Sequence, residues 1–208
     1  MVIEFSSNAV TPPMHIYMGR DKHENEELIR WGWPEDVWFH VDKLSSAHIY
    51  LRLTPGMTID TIPEDVLNDC IQLTKANSIQ GSKQNHVNIV YTPWSNLKKT
   101  GSMDVGQVGF HNDKDVRYAM VEKKCNEIIN RLNKTKVERE INYRLLREDR
   151  DREERAKERA KQLEEKALNK LREEQKREQE NLTSYASLMN ESNMRSNIDD
   201  PVDEDDFM

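Results

Sequence analysis

Short apolar runs alternating with breakers organise the first 121 residues, and each run predicts an element. Residues 2–5 and 15–18 are β-prone and are separated by Ser6-Ser7-Asn8 and Thr11-Pro12-Pro13, which predicts two strands joined by a loop. Asp21 stands as the N-cap of a short helix over residues 22–31, with acidic residues in its early turns, Leu28 and Trp31 on one side, and Gly32 at its end. Pro34 bars continuation, and residues 37–41 and 48–53 read as a hairpin connected by residues 42–47. Pro63 opens a second helix to about residue 78, with Val66, Cys70, Leu73 and Asn77 at helical spacing. Strands over residues 87–92, 105–110 and 116–121, with a loop over 93–103, complete an α+β domain spanning residues 1–121.

From Val121 the pattern changes. No Gly or Pro occurs up to Leu182, which predicts one long helix over residues 122–182. Its start carries an apolar stripe through Val121, Cys125, Ile128, Ile129 and Leu132 that should pack on the domain. Further on, the stripe from Ile141 to Leu171 is interrupted by Asp149 and Arg152 and filled with Ala. Its mean step exceeds the roughly 3.5 residues of a left-handed coiled coil. Pairs such as Glu148 with Arg152 and Asp151 with Arg155 favour a solvated single helix over a coiled coil. In residues 183–208, Tyr185, Leu188 and Met189 form an apolar cluster that reads either as a docking motif or as a frayed helix end. A disordered acidic segment over 199–206 follows.

Composition sharpens this division. All four Trp and three of the four Phe lie before residue 111, so the material for a core is concentrated at the front. The net charge of −7 is spread unevenly: −2 over residues 1–135, +1 over 136–182 and −6 beyond. A globally acidic chain is no indiscriminate polyanion binder, and a nucleic-acid site on it must be a local patch. The only cysteines, Cys70 and Cys125, form no C-x-x-C unit or disulfide framework, which points to a reducing compartment, cytoplasmic or also nuclear. No run of about 18 apolar residues or basic leader is present, so membrane insertion is not expected.

The candidate chemistry lies on one sheet face. Alternation sends Val37, Phe39, Val41, Ile49, Leu51 and Leu53 to one side, and Trp38, His40, His48, Tyr50 and Arg52 to the other. If that mixed face is open, it offers rings for base stacking and polar groups for phosphate or base edges. The nearby loop adds Trp94, Asn96, Lys98 and Lys99, and Lys83 extends the edge. These ten residues form the expected nucleic-acid contact set. The competing reading buries Trp38 and Tyr50 as a second core layer, as large aromatics usually are.

An enzyme is not expected. The six His residues show neither an H-x-x-x-H helix pair nor a Cys/His tract, so no metal or other cofactor is implied. Neither a G-x-S-x-G elbow, a Walker loop nor a G-x-G-x-x-G motif occurs.

The string Gly32-Trp33-Pro34-Glu35-Asp36-Val37-Trp38-Phe39-His40-Val41, followed by Leu44-Ser45-Ser46-Ala47-His48-Ile49-Tyr50, resembles the NFACT-R domain family. Ala76-Asn77-Ser78-Ile79, residues 87–92, Asn96-Leu97-Lys98-Lys99 and Asp104-Val105-Gly106-Gln107-Val108 resemble its further landmarks, in order. Two stretches depart from the pattern: Ser45-Ser46-Ala47 where many members carry Pro-Gly-Ser, and Thr100-Gly101 after the two lysines. The resemblance implies an RNA-binding domain without catalytic residues, working with rRNA or tRNA near ribosomes, translation factors and translation quality control. DNA binding or DNA sensing, and a protein-interaction scaffold, stand as the alternatives.

Overall fold

A computed structural model describes residues 1–184. The α+β expectation holds. The strands are β1 (Val2–Ser7), β2 (Met14–Gly19), β3 (Asp36–Val41), β4 (Ile49–Arg52), β5 (Val87–Pro93), β6 (Leu97–Lys98), β7 (Gly109–Phe110), β8 (Arg117–Val121) and β9 (Val137–Arg139). The helices are α1 (Lys22–Trp31), α2 (Glu64–Ala76), α3 (Asn126–Asn133) and α4 (Tyr143–Thr183). Seven strands form one antiparallel sheet in the order β8-β5-β3-β4-β2-β1-β9, and β6 and β7 form a separate two-stranded ribbon.

Local chemistry explains the helix starts. The Asp21 carboxylate accepts the His23 and Glu24 amides, both at 2.9 Å, and sets the first turn of α1. Asn142 does the same for α4, accepting the Leu145 amide at 3.2 Å.

Both faces of the sheet are packed. On one face Phe39, Val41, Ile49, Leu51 and Ile89 meet Val66, Cys70 and Leu73 of α2 and Leu132 of α3. On the other, Val2, Tyr17, Trp38, Tyr50 and Val90 are covered by Leu28 of α1, by Tyr143 of α4, and by Leu97 and Phe110 of the β6–β7 ribbon. The expected open mixed face is therefore a second core for most of its length. Its rings stack among themselves: Tyr17 on Tyr50 at 5.1 Å between centroids, and Tyr143 on Tyr17 at 6.0 Å.

Two expected elements differ. The helix predicted from Val121 is broken into α3, β9 and α4. Thr135 turns the chain after α3: its hydroxyl donates to the Leu132 carbonyl at 2.7 Å and accepts the Ser6 amide at 3.0 Å. β9 then pairs with β1. Thr135, Val137 and Ile141 are β-branched, so this stretch gives up little helix propensity in pairing with a sheet edge. The strand expected over residues 105–110 survives only as β7. Gly106 takes φ +83°, a left-handed turn, and its amide donates to Glu26 at 3.0 Å, pinning the preceding loop to α1.

The compact unit extends past the expected boundary at residue 121 and runs from Met1 to Arg150. The first turns of α4 belong to it: Arg147 donates to the Gly32 carbonyl, and Arg150 pairs with Glu35. Residues 152–184, taken by themselves, are exposed throughout the helix, with ion pairs such as Lys170–Glu174 (3.7 Å) and Lys176–Glu180 (3.8 Å) at i,i+4. No helix among the described residues is long and apolar enough to cross a membrane. The apolar cluster at Tyr185, Leu188 and Met189 and the acidic end lie outside the described residues.

Candidate nucleic-acid interface

The ten sequence-predicted residues divide among quite different environments. Tyr50 is fully buried and cannot offer its ring to solvent. Arg52 is spent on Asp36, donating from Nε at 2.9 Å and Nη2 at 3.1 Å, and its guanidinium lies 3.7 Å over the Trp33 ring. Asn96 is buried and braces its own loop, donating to Thr92 Oγ1 at 2.9 Å and to the Asn112 carbonyl at 2.8 Å. Trp94 donates to the Ile29 carbonyl at 2.9 Å, and Arg147 lies over its ring at 5.5 Å. Lys99 is tied down by Glu26 at 3.0 Å and by the carbonyls of Asp104 (2.7 Å) and Gln107 (3.0 Å). Lys98 is exposed on the ribbon, opposite Gly109. The set is not one surface.

Trp38 and His48 are also buried, but they floor a cleft. Trp38 Nε1–H donates to His48 Nδ1 at 3.0 Å. Nδ1 must therefore keep its lone pair, which fixes the neutral imidazole with its proton on Nε2. Burial pushes the His48 pKa down to about 3, helped by the nearby charge of Lys99 and opposed by the Gly106 backbone. His40 lies flat on Trp38, with 5.4 Å between centroids and 3° between planes, and donates from Nδ1 to the Val41 carbonyl at 2.7 Å. Burial holds its pKa below the ordinary value, against the carbonyls of Val41 and Ser46.

Past Val90, toward the β8 edge, the cover ends. The register places His40, Val90 and Tyr118 side by side across β3, β5 and β8, and Asn88 beside Met120 in the next row. Tyr118 is 63% exposed and Met120 67%, on a β8 that forms the sheet edge. Large apolar side chains left this open on the face of a sheet are informative in a way that scattered surface Leu is not.

The same end of the sheet carries positive charge. Lys43 follows β3, Lys83 and His86 precede β5, and Lys123 and Lys124 follow β8; all are exposed. The backbone ties these segments together through Asp42 N to Asn88 O at 2.8 Å and His86 N to Glu122 O at 3.0 Å. Four lysines thus meet two carboxylates, Asp42 and Glu122, on a chain whose net charge is −7. Lys43 (φ +59°) and His86 (φ +54°) are the only two non-glycine residues with positive φ among the described residues. Both lie at this end, and such conformations, at about 1–3 kcal/mol each, cluster at functional sites.

Of the ten sequence-predicted residues, His40 and Lys83 lie at this corner, and the structure gathers Lys43, Asn88, Tyr118, Met120, Lys123 and Lys124 beside them. The signal for Tyr118 and Met120 was available: they share one face of a strand whose other face holds Ala119 and Val121. Among the described residues, no group of three or more His, Cys, Asp or Glu is placed to hold a metal ion.

Residues 1–112 match the family described as the NFACT protein RNA binding domain. The chain belongs to that family and, within it, to the group of proteins called coiled-coil domain-containing protein 25. It is 59% identical to the member from Danio rerio over 208 residues, and 49% identical to the homolog from Dictyostelium discoideum over 208 residues, covering the whole of both chains in each case. Among solved structures, the C-terminal part of the fibronectin/fibrinogen-binding protein from Streptococcus suis shares the fold. That match has a TM-score of 0.51 and 16% identity, over 64% of this chain and 48% of that one.

Proposed function

We propose that this protein is a non-enzymatic RNA-binding protein that holds single-stranded RNA on the open corner where β3, β5 and β8 meet. The observation that carries the reading is the exposed pair Tyr118 and Met120 on the β8 edge, beside His40 and Val90, with Lys43, Lys83, Lys123 and Lys124 exposed at the same end of the sheet on an otherwise acidic chain. An exposed ring next to cations is what a single strand requires: every base has a face to stack and every nucleotide a phosphate to neutralise. The family description supports RNA as the partner. Its setting in this reading is rRNA or tRNA at ribosomes during translation quality control, in the cytoplasm or nucleus.

The test is fluorescence anisotropy of a labelled single-stranded RNA across a salt series, with K43A/K83A/K123A/K124A as the variant. Each phosphate contact contributes about 0.7 to the slope of log K against log salt for single strands, so losing four should flatten it by about 3. At low salt the affinity should fall on the order of a hundredfold. The same slope in both proteins would remove the corner from the site. An equal-length DNA strand bound more tightly than RNA would give the site to DNA.

A further inference from the structure

Between the exposed Tyr118 edge and the β6–β7 ribbon lies a cleft of about 240 Å³, lined among others by Trp38, His40, Lys43, Gln107, Phe110 and Tyr118. We propose that this cleft is a pocket for one unpaired nucleobase, which stacks on Tyr118 with its phosphate on Lys43. The proposal rests on the RNA-binding reading and narrows it from a surface to a pocket.

Size comes first. Sites for drug-sized ligands occupy roughly 300–1,000 Å³, so this cleft has room for one ring system and not for a folded oligonucleotide. Its walls suit a flat ring. Phe110 stands edge-on to Trp38, with 5.9 Å between centroids and 64° between planes, and His40 lies parallel to Trp38.

Charge is divided between floor and lip. Burial holds His40 and His48 below the ordinary imidazole value, so at neutral pH the floor is polar but uncharged and suits a base better than a phosphate. At the lip, the Lys43 side chain is 88% exposed, with only a 4.0 Å contact to the Asp42 carboxylate to give up, and a phosphate attached to the seated base would lie there. Gln107 Oε1 accepts the Asp104 amide at 3.1 Å, which leaves its Nε2–H groups as donors to a base edge, while Asp42 offers an acceptor.

A base paired in a duplex has its Watson–Crick edge occupied and both faces stacked, so it cannot enter. The pocket therefore selects unpaired RNA without reading a long sequence.

Amide NMR titration of the full chain with each of the four ribonucleoside monophosphates, against inorganic phosphate, tests the pocket. The nucleotides should shift Gln107, Val108, Tyr118 and His40 at millimolar concentration, and phosphate alone should leave Val108 unmoved. Val108→Phe, which fills the cleft, should weaken nucleotide binding at least tenfold. Tyr118→Ala, an exposed site whose loss does not threaten folding, should weaken it at least fivefold. Equal shifts with phosphate and nucleotides, or nucleotide affinity unchanged in Tyr118→Ala, would overturn the pocket. If an RNA oligomer still binds with the lysine-dependent salt slope in that event, the pocket alone fails; if the oligomer does not bind either, the RNA-binding reading fails with it.

Discussion

Asp36→Ala is expected to cost about 3–5 kcal/mol of folding stability, the size seen when one partner of a buried ion pair is removed. Asp36 has no exposed surface, and its carboxylate accepts four hydrogen bonds: from the Tyr17 hydroxyl at 2.5 Å, the Trp33 amide at 2.8 Å, and Arg52 Nε and Nη2 at 2.9 and 3.1 Å. Burial opposes the Arg52 charge, and the Asp36 hydrogen bonds more than offset it, holding that guanidinium above its ordinary pKa. Without the carboxylate, Arg52 stays beneath Trp33 and Tyr17 as an uncompensated cation, and the Tyr17 hydroxyl loses its acceptor. For a domain of this size, stability is on the order of 5–15 kcal/mol, so the loss is a large fraction of the whole. Thermal melts should show Tm lower by about 6–20 °C. Pairing the change with Arg52→Met should recover part of the loss, because the orphaned charge is then gone. A loss below about 1 kcal/mol for Asp36→Ala would mean that the network is not the clamp the geometry describes.

Acid should destabilise the fold through His48, beginning well above the range in which carboxylates titrate. Its folded-state pKa of about 3 lies below the ordinary 6.5. Between these values the unfolded chain binds a proton that the native state does not, so stability is fully present above pH 6.5 and falls as pH drops toward 3. One such proton gives a slope of about 1.4 kcal/mol per pH unit, and the accumulated cost has a ceiling of about 5 kcal/mol. Burial is the leading cause, and the geometry agrees with it: a proton on Nδ1 would face the Trp38 Nε1–H, donor against donor, at 3.0 Å. His40 and His15, also held below their ordinary values, chiefly by burial, add slope of the same sign in the same window. Glu26 and Glu35 are lowered by their hydrogen-bond partners despite burial, and they add to the loss only below about pH 4.5. Urea denaturation at intervals from pH 7 to 4.5 should therefore show a declining stability. His48→Gln, which can still accept from Trp38, should reduce the slope by about one proton. An equal slope in that variant would show that His48 binds its proton equally in the folded and unfolded chain.

Strands β1 to β5 and β8 and the first two helices were legible because their signals are local: alternation, an Asp N-cap, a Pro at a first turn. What covers the second face was not legible. Trp38, Tyr17 and Tyr50 have the residue types of an open stacking surface, and the same types serve as a core once their polar atoms find partners, as Trp38 does with His48 and Tyr17 with Asp36. The cover comes from two-residue strands too short to show a period, and from Tyr143, 93 residues downstream of Tyr50. The break in the long helix was hidden likewise. No Gly or Pro marks it, and only pairing with β1 makes residues 137–139 a strand. The candidate site was partly legible. His40 and Lys83 were named from their types, but the cations at residues 43, 83, 123 and 124 are single residues or a pair in sequence. Only the register of β3, β5 and β8 gathers them into a patch.

Photocrosslinking of a thiouridine-substituted single-stranded RNA to the full chain, read by mass spectrometry of the attached peptides, tests the RNA site most directly. Crosslinks should fall on the segment from Arg117 to Val121, at Tyr118 or Met120, and on residues 40–43. Crosslinks confined to the Trp94–Lys98 segment or to the charged helix beyond residue 151, with none on β8, would contradict the assignment of RNA to the open corner.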